Sequence, residues 1–473
     1  MSLKNFVRHR MPRAFMFLDR VKDQIEVECD TLRRLGLKSV FRGIAGATPD
    51  WQVKLPVQKA RLCAIEGLQF SILQDILAHL EKEEISFSQG GHSLYLSPEQ
   101  WKKSVFAPLA EDYPASAGLK IMKRLGGLNV PYLFAKGHSK VQAKYIPSHR
   151  HQALTANGLH ILGIAPRLYD LLEIDGGENI CAAYVVEHIE GNTPLAEECK
   201  ELVHQLESLV NNGTLQLIAT KGFGHDDFQG PQFNGNIIKD KKTQKTFYID
   251  VQNFKFTHYD RFLKDIALRA RNDTHFGDKV LILGGKYLYQ TVPGLNIPAQ
   301  RDPEKRIEAL MSLLEENGIT VKEKVVLDIG CNLGLTSAQY LKHGAKWVHG
   351  WDREKVIEHA EHILLGVGCT RFSLTGRSLN AESNIAEDIP QFLTDEEVII
   401  SYLAIRKHIG WMRDLAHIKW KYMMYEGHAR ESEEDTIRLV KQLNEIVKTR
   451  VLTQSVVNDA NSPERTITII ERL

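Results

Sequence analysis

Apolar positions along the chain fall into three regimes. Over 57–80 they recur at helical spacing, with Ile65, Leu68, Ile72, Leu73, Ile76, Leu77 and Leu80 on one stripe. Gly90-Gly91, Pro98 and Tyr113-Pro114 punctuate the next stretch of chain. Residues 1–115 are therefore expected to form a mostly helical region, and no chemical motif lies in it. Short β-type runs then take over at Tyr132–Ala135, Val141–Ile146, Ala182–His188 and Thr246–Val251, with a helix expected over Glu197–Asn211. From Arg306 onward strands and helices alternate: Val325–Ile329, a helix over Leu335–His343, Trp347–Trp351, a helix near Lys355–Leu364, then Val398–Ser401. That alternation predicts a parallel sheet wound with helices on both faces. The expected organisation is a helical region at 1–115, an α+β unit at 116–285, a turn-rich bridge at 286–305 and a doubly wound α/β unit at 306–473.

Composition narrows the function classes. The 473 residues carry 60 Lys+Arg against 59 Asp+Glu, a formal charge of +1, where a protein that coats DNA or RNA carries a basic excess. With 43% hydrophobic residues there is ample material for cores, and disorder is excluded. No apolar run approaches the roughly 20 residues of a membrane span. The six cysteines include no C-x-x-C pair, so a zinc knuckle is not expected and the chain reads as a reduced, cytoplasmic protein. Lys4, Arg8, Arg10 and Arg13 beside Phe15 and Phe17 suit peripheral contact with an anionic membrane surface, or equally a solvated helix start.

The most informative run is Val325-Val326-Leu327-Asp328-Ile329-Gly330-Cys331-Asn332-Leu333-Gly334. An apolar strand delivers an acid, and two glycines four apart open a helix, where the backbone turns tightly without a Cβ clash. A second strand ends at Asp352, 24 residues after Asp328, where an acid can accept hydrogen bonds from ribose hydroxyls. Asn332 stands where a dinucleotide loop needs its second glycine, so a nicotinamide dinucleotide is disfavoured.

This D-x-G-x-x-x-G run resembles the glycine motif of class I S-adenosylmethionine-dependent methyltransferases, over roughly residues 300–473. The resemblance implies that Val398–Leu403 is the fourth strand, Tyr422–Glu426 the fifth, and Thr466–Ile470 part of the closing hairpin. It also implies that Gly330, Asn332 and Gly334 line the cofactor, that Asp328 lies beneath its amino-acid part, and that Asp352 holds its ribose. No N-P-P-Y loop comes after the fourth strand, which lowers a nucleic-acid base as acceptor. Arg406, Lys407 and His408 are found there instead. They favour an anionic acceptor, with His408 a general base should the acceptor be a hydroxyl; a solvated helix face is the other reading.

The middle unit carries a second constellation: Gly224-His225-Asp226-Asp227-Phe228, then Asn236, then Tyr248-Ile249-Asp250. With Val185–Gly191 as a hinge strand and Lys144 in Val141–Lys144, the order of parts resembles the protein-kinase-like superfamily, including small sugar and lipopolysaccharide kinases. That resemblance implies Asp227 as the residue orienting the acceptor, Lys144 and Glu187 as nucleotide contacts, and Asn236 and Asp250 as magnesium ligands for ATP. Asp227 and Asn236 are nine apart where the family has five, and no acid lies between Lys144 and Pro166 to pair the lysine. A loop network or general metal site at His225–Asp227 stays open beside it. Kinase-like and methyltransferase-like units in one chain resemble the bifunctional enzymes that cap surface polysaccharides by phosphorylation and phosphate methylation. The acceptor expected is then an anionic or hydroxylated glycan or small molecule. The alternative is a methyltransferase whose kinase-like unit only binds.

Overall fold

The computed structural model describes residues 58–59, 93–103, 106–123, 135–137, 140–142, 149–176, 179–217, 236–249, 251, 254–273 and 288–473, apart from 296, 298, 395, 429–430 and 458–463. The basic N-terminal stretch, the stripe expected over 57–80 (save for two strand residues), and Lys144, Asp227 and Asp250 lie outside them.

The first unit is built on a five-stranded sheet. Its strands are β1 (Gln58–Lys59), β2 (Ser93–Leu96), β3 (Ala117–Lys123), β6 (Leu168–Gly176) and β7 (Asn179–Glu187), in the order β1-β6-β7-β3-β2. Helices α1 (Pro98–Lys103) and α2 (Ala107–Ala110) join β2 to β3. The turn closes where Ala117 N–H donates to the Pro114 carbonyl at 2.8 Å, and Leu96 then pairs with Leu119. One sheet therefore straddles the boundary expected after residue 115. The hairpin β4 (Ala135–Gly137) and β5 (Lys140–Gln142) forms a separate two-stranded sheet, so the run Val141–Lys144 does not start in the main one.

Helix α3 (His149–Ile161) precedes β6, and after β7 come β8 (Gly191–Asn192), α4 (Ala196–Asn211), β9 (Leu215–Leu217), β10 (Ile237–Asp240), β11 (Thr246–Tyr248), β12 (Phe254–Phe256) and α5 (Tyr259–Asp273). In α4 the Glu198 side chain caps the Leu195 N–H at 2.8 Å while Cys199, Leu202 and Leu206 face inward.

The second unit opens with β13 (Leu288–Gln290) and β14 (Ala299–Arg301), then α6 (Pro303–Glu315). Asp302 caps α6 by accepting from the Glu304 N–H at 3.1 Å, and Pro303 at the first helical position needs no donor. Next in the chain are β15 (Val325–Ile329), α7 (Leu335–Lys342), β16 (Trp347–Asp352), α8 (Glu354–Gly366), β17 (Phe372–Gly376), β18 (Val398–Leu403), α9 (Arg406–Ile409), β19 (Trp420–Glu426), α10 (Glu433–Leu443), β20 (Thr449–Val457) and β21 (Arg465–Arg472). They form a seven-stranded sheet in the order β17-β16-β15-β18-β19-β21-β20. The first five strands are parallel, and β21 runs antiparallel between β19 and β20. Every residue of β15 and β18 is buried, as strands covered on both faces require.

The two units share their cores. On one sheet face, Leu96, Trp101, Phe106, Tyr113 and Leu119 cluster with Val325, Leu327, Trp347 and Ile400. On the other, Leu263, Ile266, Ala267 and Ala270 of α5 cluster with Val326, Leu341, Ile363 and Leu364. Polar contacts tie the seam: Arg167 Nη2 donates to the Phe372 carbonyl at 2.7 Å, Asn157 Nδ2 to Leu365 at 3.1 Å, and Lys346 pairs with Asp112 at 2.8 Å. Among the described residues no helix is long and apolar enough to cross a membrane.

Candidate functional site

The carboxyl edge of the seven-stranded sheet gathers the chemistry. At the end of β15 the chain passes through Gly330 (φ 79°), Asn332 (φ 53°) and Gly334 (φ 75°) before entering α7. A Cβ at Gly330 would lie 2.9 Å from two Ile405 side-chain carbons, and one at Gly334 2.6 Å from Leu364. Left-handed backbone and close packing both select glycine at these two positions. The loop is pinned to the next strand: the Gly330 and Cys331 N–H groups donate to the Trp351 carbonyl at 2.9 and 3.0 Å, and the Asn332 N–H donates to Asp352 Oδ2 at 2.9 Å.

Asp352 Oδ1 accepts from the Arg353 N–H at 2.7 Å. Each oxygen thus carries one backbone donor, leaving lone pairs for two ribose hydroxyls. Burial raises its carboxyl pKa, against the lowering effect of those backbone donors. Asp328 serves differently. It is buried, its Oδ2 accepts from Ser337 at 2.6 Å and its Oδ1 from Ser401 at 2.7 Å, so it braces the loop from below. Burial raises its pKa, and the two serine hydroxyls oppose the rise.

Across Ile405 from the glycine loop lies the segment after β18. Ala404 sits at φ 54° with its N–H on the Glu426 carbonyl at 3.0 Å. Arg406 is half-buried and its Nη2 reaches Glu431 Oε1 at 3.4 Å, while Lys407 and His408 are exposed. The His408 ring lies 5.2 Å from the His428 ring. Burial, with help from His408, Arg465 and Lys407 and against Glu431, drives the His428 pKa down to about 4, so this ring is neutral at pH 7.

Gly330, Asn332, Gly334 and Asp352 are thus brought together, Asp328 lies beneath them, and His408 stands across Ile405. Of the residues anticipated in the first unit, Glu187 and Asn236 are described, and each is bonded within that unit. Glu187 exchanges two bonds with Arg167, its N–H donating to the Arg167 carbonyl at 2.8 Å and its Oε2 accepting from the Arg167 N–H at 3.2 Å. The Asn236 carbonyl accepts from the Ile249 N–H at 2.9 Å, which sets Asn236 beside the residue preceding Asp250.

Sequence reasoning did not anticipate Ile405 as the side chain packed against Gly330 of the loop. Nor did it anticipate the buried ion-pair cluster of Glu426 with Arg301 (2.9 Å), Arg306 (3.2 Å) and Arg465 (3.9 Å). Signals for the cluster were an acid ending the fifth strand and arginines flanking the α6 cap.

No family model matches the chain. Protein arginine N-methyltransferase 1 of Saccharomyces cerevisiae is 28% identical over 127 residues, 27% of this chain and 27% of that protein, so the match spans about a quarter of the curated relative. Magnesium protoporphyrin IX methyltransferase from Synechocystis PCC 6803, solved with S-adenosylmethionine, shows 14% identity and a TM-score of 0.28, covering 46% of this chain and 94% of that one. The ribosomal protein L11 methylase of Lactobacillus delbrueckii subsp. bulgaricus shows 16% identity and a TM-score of 0.26, covering 36% and 82%. The strand order and the glycine loop make the C-terminal unit a doubly wound sheet with its loop at the carboxyl edge, as the resemblance to class I methyltransferases implies.

Proposed function

We propose that the chain transfers a methyl group from S-adenosylmethionine to an acceptor at the carboxyl ends of β18 and β19. The observation that carries this reading is the loop geometry: two left-handed glycines flank Asn332, whose N–H is tied to a carboxylate that keeps acceptor capacity at the end of β16. S-adenosylmethionine supplies an electrophilic methyl group on a sulfonium. The residues suited to hold it are Gly330, Asn332 and Gly334 along the backbone and Asp352 at the ribose, with Asp328 as a brace. Ile405 closes the loop from the acceptor side, where an apolar wall keeps water from the reacting centre.

The acceptor side is cationic. Arg406 and Lys407 repel an arginine side chain, so the substrate named for the yeast relative is not carried over. A phosphate or carboxylate suits these charges, and a glycan or lipid-linked saccharide phosphate is the acceptor class we favour. An ionised oxygen needs no base; for a hydroxyl, His408, with neutral His428 beside it, takes the proton.

A second reading assigns nucleotide binding to the first unit. It is favoured by the bond that sets Asn236 beside residue 249. Lys144 remains the residue that this reading assigns to the phosphates, and Asn236 with Asp250 would hold magnesium.

The test is methyl transfer from labelled S-adenosylmethionine to a pool of glycans and glycolipids, with and without ATP-magnesium. Incorporation that requires ATP supports two steps in series. Incorporation without it reduces the first unit to a binding module. Absence of S-adenosylhomocysteine binding by calorimetry would overturn methyl transfer itself.

A further inference from the structure

We propose that the Glu431 side chain holds the seat of a phosphate group on the methyl acceptor, and that Arg406, Tyr425 and His428 take that phosphate when Glu431 turns out. This rests on the methyl-transfer reading and narrows it, since it chooses phosphate over carboxylate and names the side chains that contact it.

The Glu431 carboxylate is folded back over the end of β19. Its Oε1 lies 3.4 Å from Arg406 Nη2, and its Oε2 accepts from the buried Tyr425 hydroxyl at 3.1 Å. A Cβ on Gly427 would fall 2.9 Å from the same Oε2, so a residue without a side chain leaves room for the carboxylate there. The Glu431 backbone is fixed separately: its N–H donates to the His428 carbonyl at 3.0 Å, and its carbonyl accepts from Thr466 Oγ1 at 3.1 Å. Rotation of the side chain alone therefore empties the seat. The site adjoins the glycine loop, because Arg406 follows Ile405, which packs on Gly330, and Tyr425 pairs in register with Tyr402 of β18.

Glu431 does not satisfy the groups around it. Charge-assisted N–H···O bonds run at about 2.7–2.9 Å and often come in parallel pairs from one guanidinium. Here a single nitrogen engages at 3.4 Å, and Arg406 Nε is buried without an acceptor among the described residues. His428 Nε2 is likewise buried and without a partner. Burial and Glu431, against Arg406, raise the Tyr425 pKa, so its hydroxyl keeps its proton and donates. Burial, His408, Arg465 and Lys407, against Glu431, keep the His428 ring neutral, and the tautomer with its proton on Nε2 donates without adding charge. A carboxylate in place of Glu431 would leave the same two nitrogens unpaired. A phosphate brings three acceptor oxygens, enough for Arg406 Nη2 and Nε, the Tyr425 hydroxyl and His428 Nε2.

The experiment titrates inorganic phosphate, and separately acetate, into the full chain with and without saturating S-adenosylhomocysteine. Calorimetry reads the affinities, and the ring-carbon resonances of labelled histidines read His428, assigned with His428→Gln. Wild type, Glu431→Gln, Arg406→Met and Arg406→Lys are compared, with thermal melts to establish folding. Phosphate should bind about tenfold more tightly to Glu431→Gln than to wild type, because Arg406 and Tyr425 no longer have to leave a carboxylate. Arg406→Met should lose phosphate and Arg406→Lys recover part of it, with acetate weaker than phosphate throughout. Bound phosphate should shift the His428 resonance and raise its pKa from about 4. Phosphate affinity unmoved by Glu431→Gln or by Arg406→Met, acetate binding as tightly as phosphate, a His428 resonance indifferent to phosphate, or no phosphate binding by wild type and Glu431→Gln alike overturns the seat. Any of these in a chain that binds S-adenosylhomocysteine leaves methyl transfer standing. The expected phosphate pattern in a chain that fails to bind S-adenosylhomocysteine keeps the seat and removes the methyl-transfer reading.

Discussion

Replacing Gly330 by alanine tests how the glycine loop is coupled to the segment after β18. Two separable costs arise. The residue holds φ 79°, and a side chain in the left-handed region costs about 1–2 kcal/mol. The new Cβ would also fall 2.9 Å from Ile405 Cδ1 and Cγ1 and 3.3 Å from its Cβ. A side-chain tip can swing away, but the Ile405 Cβ moves only with its backbone, and Ala404 beside it already sits at φ 54°. Overpacking of this kind costs about 1–3 kcal/mol, so the total loss is about 2–5 kcal/mol. Ile405→Ala in the same chain removes the two contacts at 2.9 Å and leaves the Cβ contact at 3.3 Å and the backbone cost. The two substitutions should therefore couple, with Gly330→Ala less damaging by about 1–3 kcal/mol when Ile405 is absent. Urea denaturation of wild type, both single variants and the double variant measures the stability coupling, and S-adenosylhomocysteine calorimetry tracks the loop itself. Additivity to within about 0.5 kcal/mol would refute the reasoning, since the loop and residue 405 would then not press on one another.

Three further outcomes are expected. Asp352→Ala should weaken S-adenosylhomocysteine by at least about tenfold, because charged-acceptor hydrogen bonds of about 1.5–3 kcal/mol are lost along with the tie to Asn332; unchanged affinity by calorimetry would take Asp352 out of the ribose role. For Glu426, burial pushes the carboxyl up, but Arg306, Arg301 and Arg465 outweigh it and hold the pKa below the ordinary range. Its contribution is therefore present above the unfolded pKa of about 4.3 and is lost as pH falls through the lower folded value. Glu426→Gln should thus be destabilised most at neutral pH, by about 3–5 kcal/mol, with the gap to wild type closing in acid; a gap independent of pH would contradict the ion-pair account. Asp328 titrates in the opposite sense. Burial raises its pKa, so its contribution is greatest below the unfolded value of about 3.9 and declines as pH rises through the folded one. Asp328→Asn should lose that decline in a series of melts from pH 3 to 7.

The C-terminal sheet was legible because its pattern is local. Val325–Ile329 and Val398–Leu403 are continuous apolar runs, and Gly330 and Gly334 announce their backbone by residue type alone. Strand β3 was harder. Pro114 signals a break in sequence, yet it closes a turn inside one sheet, and the alternation at Leu119-Lys120-Ile121 is too short to stand out. The arginine cluster was least legible, since Arg301 and Glu426 are separated by 125 residues and meet only because α6 begins beside the end of β19. Pairings of that kind are made by topology.

The shared cores also bear on how this chain can be divided. Two domains joined end to end each keep a closed interior, and either can be cut away or exchanged during descent. Here Trp101 and Tyr113 complete one face of the C-terminal sheet, and Leu263 and Ala267 complete the other. Residues 306–473 expressed alone should expose both faces and aggregate, although they contain the entire glycine loop. The interior of the C-terminal sheet is therefore completed by side chains from α1 and α5, far from the glycine loop in sequence.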